Sequence, residues 1–168
     1  MKEMNEGWES SARNVQRIEQ IISQPIVEEQ IALHVRNIRE ILLTSNSRNA
    51  ESDSKIGKVL EDYARLIAMK FEQVKDIEPI ASSDPNLAET LSSKTFPIAK
   101  KYLEALMDGK FLAERLSDDM GTSKDWLNEE AESVLAMIAV NIMHDTLVVA
   151  YCLRLGIDPE RLRTSSAT

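Results

Sequence analysis

The stretch from Val134 to Leu153 sets the tightest limit on what this chain can fold into. Val134, Leu135, Met137, Ile138, Ile142, Met143, Leu147, Val148 and Val149 make it apolar nearly all round. A helix of that kind must be surrounded by other elements or by lipid. Its length is about that of a membrane span. Yet Asn141, His144, Asp145 and Thr146 fall near its middle, where each ionisable group would cost roughly 2.5–3.5 kcal/mol in a bilayer. The expectation is a central core helix, running from about Lys124 to Leu155, with the rest of the chain wrapped around it.

The rest of the chain has the pattern needed to do the wrapping. Trp8, Val15, Ile18 and Ile22 recur at threes and fours, which predicts a helix from about Glu6 to Ser23. Pro25 suits the first position of a second helix, where its missing N–H costs nothing. That helix carries Ile26, Ile31, Leu33, Val35, Ile38, Ile41 and Leu42. The polar run Thr44-Ser45-Asn46-Ser47-Arg48-Asn49 is the clearest loop. Asp53 or Ser54 caps a third helix with a stripe from Ile56 to Val74, ending near Asp76. Asp84-Pro85 starts a short helix with Leu87 and Leu91. Thr95-Phe96-Pro97 opens another, broken at Asp108-Gly109, and Phe111, Leu112 and Leu116 continue to about Asp119. Thr122 or Ser123 is expected to cap the long helix, and Gly156 to end it.

These elements predict an all-α, single-domain bundle of five to seven helices around a nearly all-apolar C-terminal helix. A helical hairpin over 6–43, a main bundle over 54–163 and a frayed tail over 164–168 are the expected parts. The hairpin is too small to be stable by itself, so one domain spans 1–168. Only five glycines and five prolines interrupt the 168 residues, in keeping with long helices.

The net charge of −8 repels phosphate backbones and anionic lipid, and the basic residues are scattered. Neither nucleic acid nor membrane is an expected partner. Cys152 is the only cysteine, so no internal disulfide forms; a buried, inert thiol and a reducing compartment are expected, with the cytoplasm as location. The N-terminus has no apolar signal region.

The polar interruption of the long helix is the best place for chemistry. Asn141, His144 and Asp145 share one side of it, at spacings of three and four, as a candidate buried polar site. Polar groups in such surroundings must find partners. His144 is then an acid, base or ligand with Asp145 beside it, or the three form a satisfied structural network. His34, between Leu33 and Val35, is expected at the boundary or surface. Met137 and Met143 are expected to fill gaps in the core.

Three resemblances attach to these residues. His144-Asp145 is similar to the pair that names the HD phosphohydrolases, but those need further histidines and aspartates, and His34 is the only other histidine here. His144-Asp145-Thr146-Leu147 resembles the phosphoacceptor box of one class of sensor kinases, here flanked by the apolar Val140-Asn141-Ile142-Met143. Leu155-Gly156-Ile157-Asp158-Pro159-Glu160, after a helix containing Asp145, resembles the end of MazG-like all-α nucleotide pyrophosphohydrolases. That resemblance covers about 20 residues and implies magnesium held by an E-E-x-x-E set and an E-x-x-D set. Glu28-Glu29 match the start of the first set and Asp145 the end of the second. Ala32 and Ile142 stand where two further carboxylates belong. Glu28, Glu29 and Asp145 are then the metal ligands that remain, as in an inactive relative.

No cofactor is otherwise expected. The function expected is a non-catalytic protein–protein interaction or regulatory module, binding another protein or a second copy of itself. Trp8 and Trp126, near helix starts, are the candidate interface anchors. The metal-dependent nucleotide enzyme is one alternative. A small-ligand sensor is the other, with a closed pocket beside Asn141 and His144 lined by Met137 and Tyr151.

Overall fold

The computed structural model describes residues 15–44, 53–81, 83–106 and 110–165, and among them there is helix, turn and coil but no strand. The helices are α1 (residues 15–22), α2 (Pro25–Thr44), α3 (Asp53–Glu72), α4 (Leu87–Leu106), α5 (Lys110–Met120), α6 (Glu129–Leu155) and α7 (Glu160–Ser165), with a 3-10 turn at Lys124–Trp126 before α6. Trp8, the loop around 45–52 and the Asp108-Gly109 break lie outside the described residues.

The apolar helix is central. α2, α3, α4 and α5 all pack against α6, and from Thr146 to Cys152 every residue of α6 is buried. Each surrounding helix turns one stripe inward. On α2 the stripe is Val27, Ile31, Ile38 and Leu42; on α3 it is Ile56, Leu60, Tyr63, Ile67 and Phe71; on α5 it is Leu112, Leu116 and Met120. Each such side chain taken from water contributes about 1.5–3 kcal/mol. Residues of the expected hairpin and of the expected main bundle share this core, because α2 packs on both α3 and α6.

The helix boundaries differ from the sequence reading in three places, and two side chains differ in exposure. α4 is one helix, although Pro97 lies inside it. The proline removes the bond to the Ser93 carbonyl, but Ser93 is exposed, so water can take the place of that donor; Leu87, Leu91 and Thr95, with Ile98 and Tyr102 beyond the proline, keep a continuous inward face. α3 stops at Glu72, in two tight turns in which Gln73 and Val74 donate to Lys70 and Phe71. α6 starts at Glu129 rather than Lys124, because Asn128 is the cap: its side chain accepts from the Ala131 N–H at 2.8 Å. Val15 is exposed rather than facing the core, and so is Met137; Met137 belongs to a narrow solvent stripe of α6 with Ser133, Asn141 and His144.

Gly121 and Gly156 end α5 and α6 at φ 65° and 74°. In both, the following residue reaches back five positions: Thr122 donates to the Ser117 carbonyl at 3.0 Å and Ile157 to the Cys152 carbonyl at 2.8 Å. That is the left-handed cap glycine favours, and Ile157 is buried by it. The coil between α3 and α4 is tied to α6 by the Tyr151 hydroxyl, which donates to the Glu78 carbonyl at 2.6 Å, and by Arg154, which donates to the carbonyls of Phe71 and Lys75.

Candidate functional site at the seam of α2, α4 and α6

The side of α6 that carries Asn141, His144 and Asp145 is the rim of the bundle, not its interior. Asn141 and His144 are exposed and Asp145 is half-buried. The expected buried polar site is therefore corrected to a site at the solvent edge. The reason is the narrow stripe just described: the neighbouring helices cover the rest of the circumference of α6 and leave this strip open.

His144 is engaged on both ring nitrogens. Nε2 lies 3.1 Å from the hydroxyl of Ser92 on α4, and Nδ1 lies 3.3 Å from Oδ1 of Asp145. Asp145 also faces α2, where the imidazole of His34 senses its charge. His34 is not a surface residue: it is 2% exposed. It continues the inward stripe of Val27 and Ile31, one turn before Ile38. Its Nδ1 meets the Asn37 amide at 3.5 Å, and its Nε2 has no hydrogen-bond partner among the described residues. Burial lowers its pKa, and the Asp145 carboxylate opposes that shift.

Beside His144, α4 and α6 leave an open groove of about 280 Å3, lined by Ser92, Thr95, Phe96, Ala99, Lys100, Val140 and Met143. Phe96 is 66% exposed at its edge. This replaces the closed pocket expected beside His144. Met137 faces solvent outside it. Tyr151 lines a different cleft, with Glu78, Lys94 and Pro97, where Lys94 pairs with Glu78.

The other candidates are dispersed. Glu28 and Glu29 are exposed on the first turns of α2. Among the described residues, no three of His, Cys, Asp and Glu gather as a metal ion would require, so Glu28 and Glu29 are not brought to Asp145. Trp126 is not an exposed anchor: it is 2% exposed, and its indole N–H donates to the Ser117 hydroxyl at 3.2 Å. The 3-10 turn folds the indole inward to close the corner between α5 and α6. Cys152 is fully buried, and burial pushes its thiol up to about 11, so it is an inert core residue.

Ser92 and His34 were missed in the sequence for different reasons. The spacing of Val27, Ile31, His34, Ile38 and Leu42 carries the signal for His34 as a core position. Ser92 has no local signal, because its partner is 52 residues away in the chain. No protein-family model, curated protein or solved structure matches this chain.

Proposed function

We propose that this chain is a protein interaction module that takes up apolar side chains of a partner polypeptide in the groove between α4 and α6. The observation that carries this reading is Phe96, a large aromatic held in solvent at the edge of a concave apolar surface formed by Ala99, Val140 and Met143. Apolar surface of that kind, on a helical bundle, suits an amphipathic helix laid into it. The lining includes Lys100 and no carboxylate, although the chain as a whole carries a charge of −8. Charge complementarity therefore favours a partner segment with Asp or Glu beside its apolar face. The cytoplasm remains the proposed location, on the ground of the single buried cysteine.

A displayed library of amphipathic helical peptides, selected on the full chain, tests the reading. Selected peptides are expected to carry apolar residues at spacings of three and four with flanking carboxylates, and to bind at least about tenfold more weakly, some 1.4 kcal/mol, to Phe96→Glu and to Ala99→Glu. Peptides that bind both variants unchanged would overturn it. A sedimentation experiment on the same proteins reads the second occupant, another copy of the chain: self-association abolished by Phe96→Glu would move the assignment from a foreign segment to the homo-oligomer. A small apolar ligand is the competing reading, favoured by the modest volume of the groove; fatty acids that bind wild type while no peptide does would decide for it.

A further inference from the structure

We propose that Ser92 is an acyl-accepting nucleophile activated by His144, with Asp145 as a positioning residue, and that the chain hydrolyses esters whose acyl group lies in the α4–α6 groove. This goes beyond the interaction reading and rests on the hydrogen bonds of His144 rather than on exposed apolar surface.

The connectivity of the three side chains fixes their roles. An ionised carboxylate only accepts hydrogen bonds. The contact of His144 Nδ1 with Asp145 Oδ1 at 3.3 Å therefore places the proton on Nδ1. Nε2 is left with its lone pair, 3.1 Å from Ser92 Oγ, and the hydroxyl donates to it. A hydroxyl held against the free nitrogen of an imidazole whose other nitrogen is oriented by a carboxylate is the arrangement that activates serine in hydrolases on unrelated folds. It is recognised by geometry rather than by order along the chain. Here two helices build it: α6 supplies base and carboxylate from consecutive positions, and α4 supplies the hydroxyl.

Access and substrate class follow from the surroundings. The His144 side chain is 49% exposed, and Ser92 and His144 both line the groove whose other walls are Phe96, Ala99, Val140 and Met143. Such a wall suits a short acyl chain or an aromatic acid. In the reaction Ser92 Oγ attacks the ester carbonyl while its proton passes to His144 Nε2. The tetrahedral alkoxide collapses, the ester C–O bond breaks, and the departing alcohol takes the proton from His144. Water then repeats the sequence on the acyl-serine and releases the acid. The polar donor at hand for the alkoxide is the Lys100 ammonium in the groove lining.

The test is labelling of the full chain with an alkyl fluorophosphonate, mapped by peptide mass spectrometry, beside hydrolysis of p-nitrophenyl butyrate. The expected result is an adduct on the peptide containing Ser92, lost in Ser92→Ala and in His144→Gln, with hydrolysis falling by roughly 100-fold in each. Asp145→Asn is expected to lower kcat with KM little changed, since the imidazole loses the acceptor that orients it, and Asp145→Glu to restore part of the loss; a purely structural role would give neither the split nor the rescue. Ser92→Cys separates lost chemistry from lost fold: its thiol is expected to react with iodoacetamide faster with His144 present than in the double variant Ser92→Cys with His144→Gln. The proposal is overturned by the absence of a Ser92 adduct, by hydrolysis that survives Ser92→Ala and disappears only with His144→Gln, or by equal thiol reactivity in the single and double variants. Any of these would make the Ser92–His144 contact a clamp between two helices.

Discussion

The indole N–H of Trp126 donates to the hydroxyl of Ser117 at 3.2 Å, and both residues are buried. The bond joins the 3-10 turn to α5 at the point where the chain turns to enter the central helix. Ser117 also offers its carbonyl to the Thr122 N–H, so a single residue closes the end of α5 with its backbone and the corner of the bundle with its side chain.

Removing the hydroxyl leaves the indole N–H buried without a partner. Ser117→Ala is expected to cost about 1–3 kcal/mol, and Trp126→Ala about 3–5 kcal/mol through the cavity it opens. Trp126→Phe combined with Ser117→Ala is expected to cost less than the sum of Trp126→Phe and Ser117→Ala made singly, because both partners of the bond are then gone. Urea unfolding of the four proteins measures the cycle; strictly additive costs would show that the bond contributes nothing.

The buried His34 makes stability depend on pH in a definite direction. Its pKa is lowered in the folded state, chiefly by burial, against the Asp145 charge that favours the imidazolium. The unfolded chain therefore binds the proton more readily than the folded one. The contribution is fully present above the ordinary imidazole value of about 6.5 and is lost as pH falls below it towards the lowered folded value. Denaturant midpoints at pH 7.5 and pH 5.5 are expected to differ more in the wild type than in His34→Leu, which removes the ionisable ring and its unpaired nitrogen together. Equal pH sensitivity in the two proteins would remove His34 from the account.

Two glycines give opposite predictions for the same change. Gly57 is helical, inside α3, and a β-carbon there meets Val35 Cγ2 at 3.7 Å, an ordinary contact. Gly57→Ala is expected to stabilise by about 0.5–1 kcal/mol. Gly156 has open space around it but a φ of 74°, so Gly156→Ala is expected to destabilise by about 1–2 kcal/mol through backbone strain alone. Thermal unfolding of both variants checks the pair; shifts in the same direction would mean that one of the two backbone conformations is misassigned.

The long apolar run determined that this chain builds a helical bundle around its C-terminal half. A helix with no polar face of useful width has few places to go, and the amphipathic stripes of the other helices supply its cover. Gly156 and Pro25 were equally legible, because caps and breaks depend on residues next to one another. The inward position of His34 was also written in the spacing of Val27, Ile31, Ile38 and Leu42, but a polar residue on a stripe reads as a boundary until its neighbours are in place. The site was decided by tertiary structure. Asn141, His144 and Asp145 share a side in any helix, yet only the placement of α2 and α4 made that side a rim rather than an interior, and only α4 brought Ser92 to His144. Trp126 turned inward for the same kind of reason, since its partner Ser117 is on another element. Local sequence fixes conformation through interactions within a turn or two, whereas exposure and hydrogen-bond partners depend on how whole helices pack, which is settled by contacts far apart in the chain.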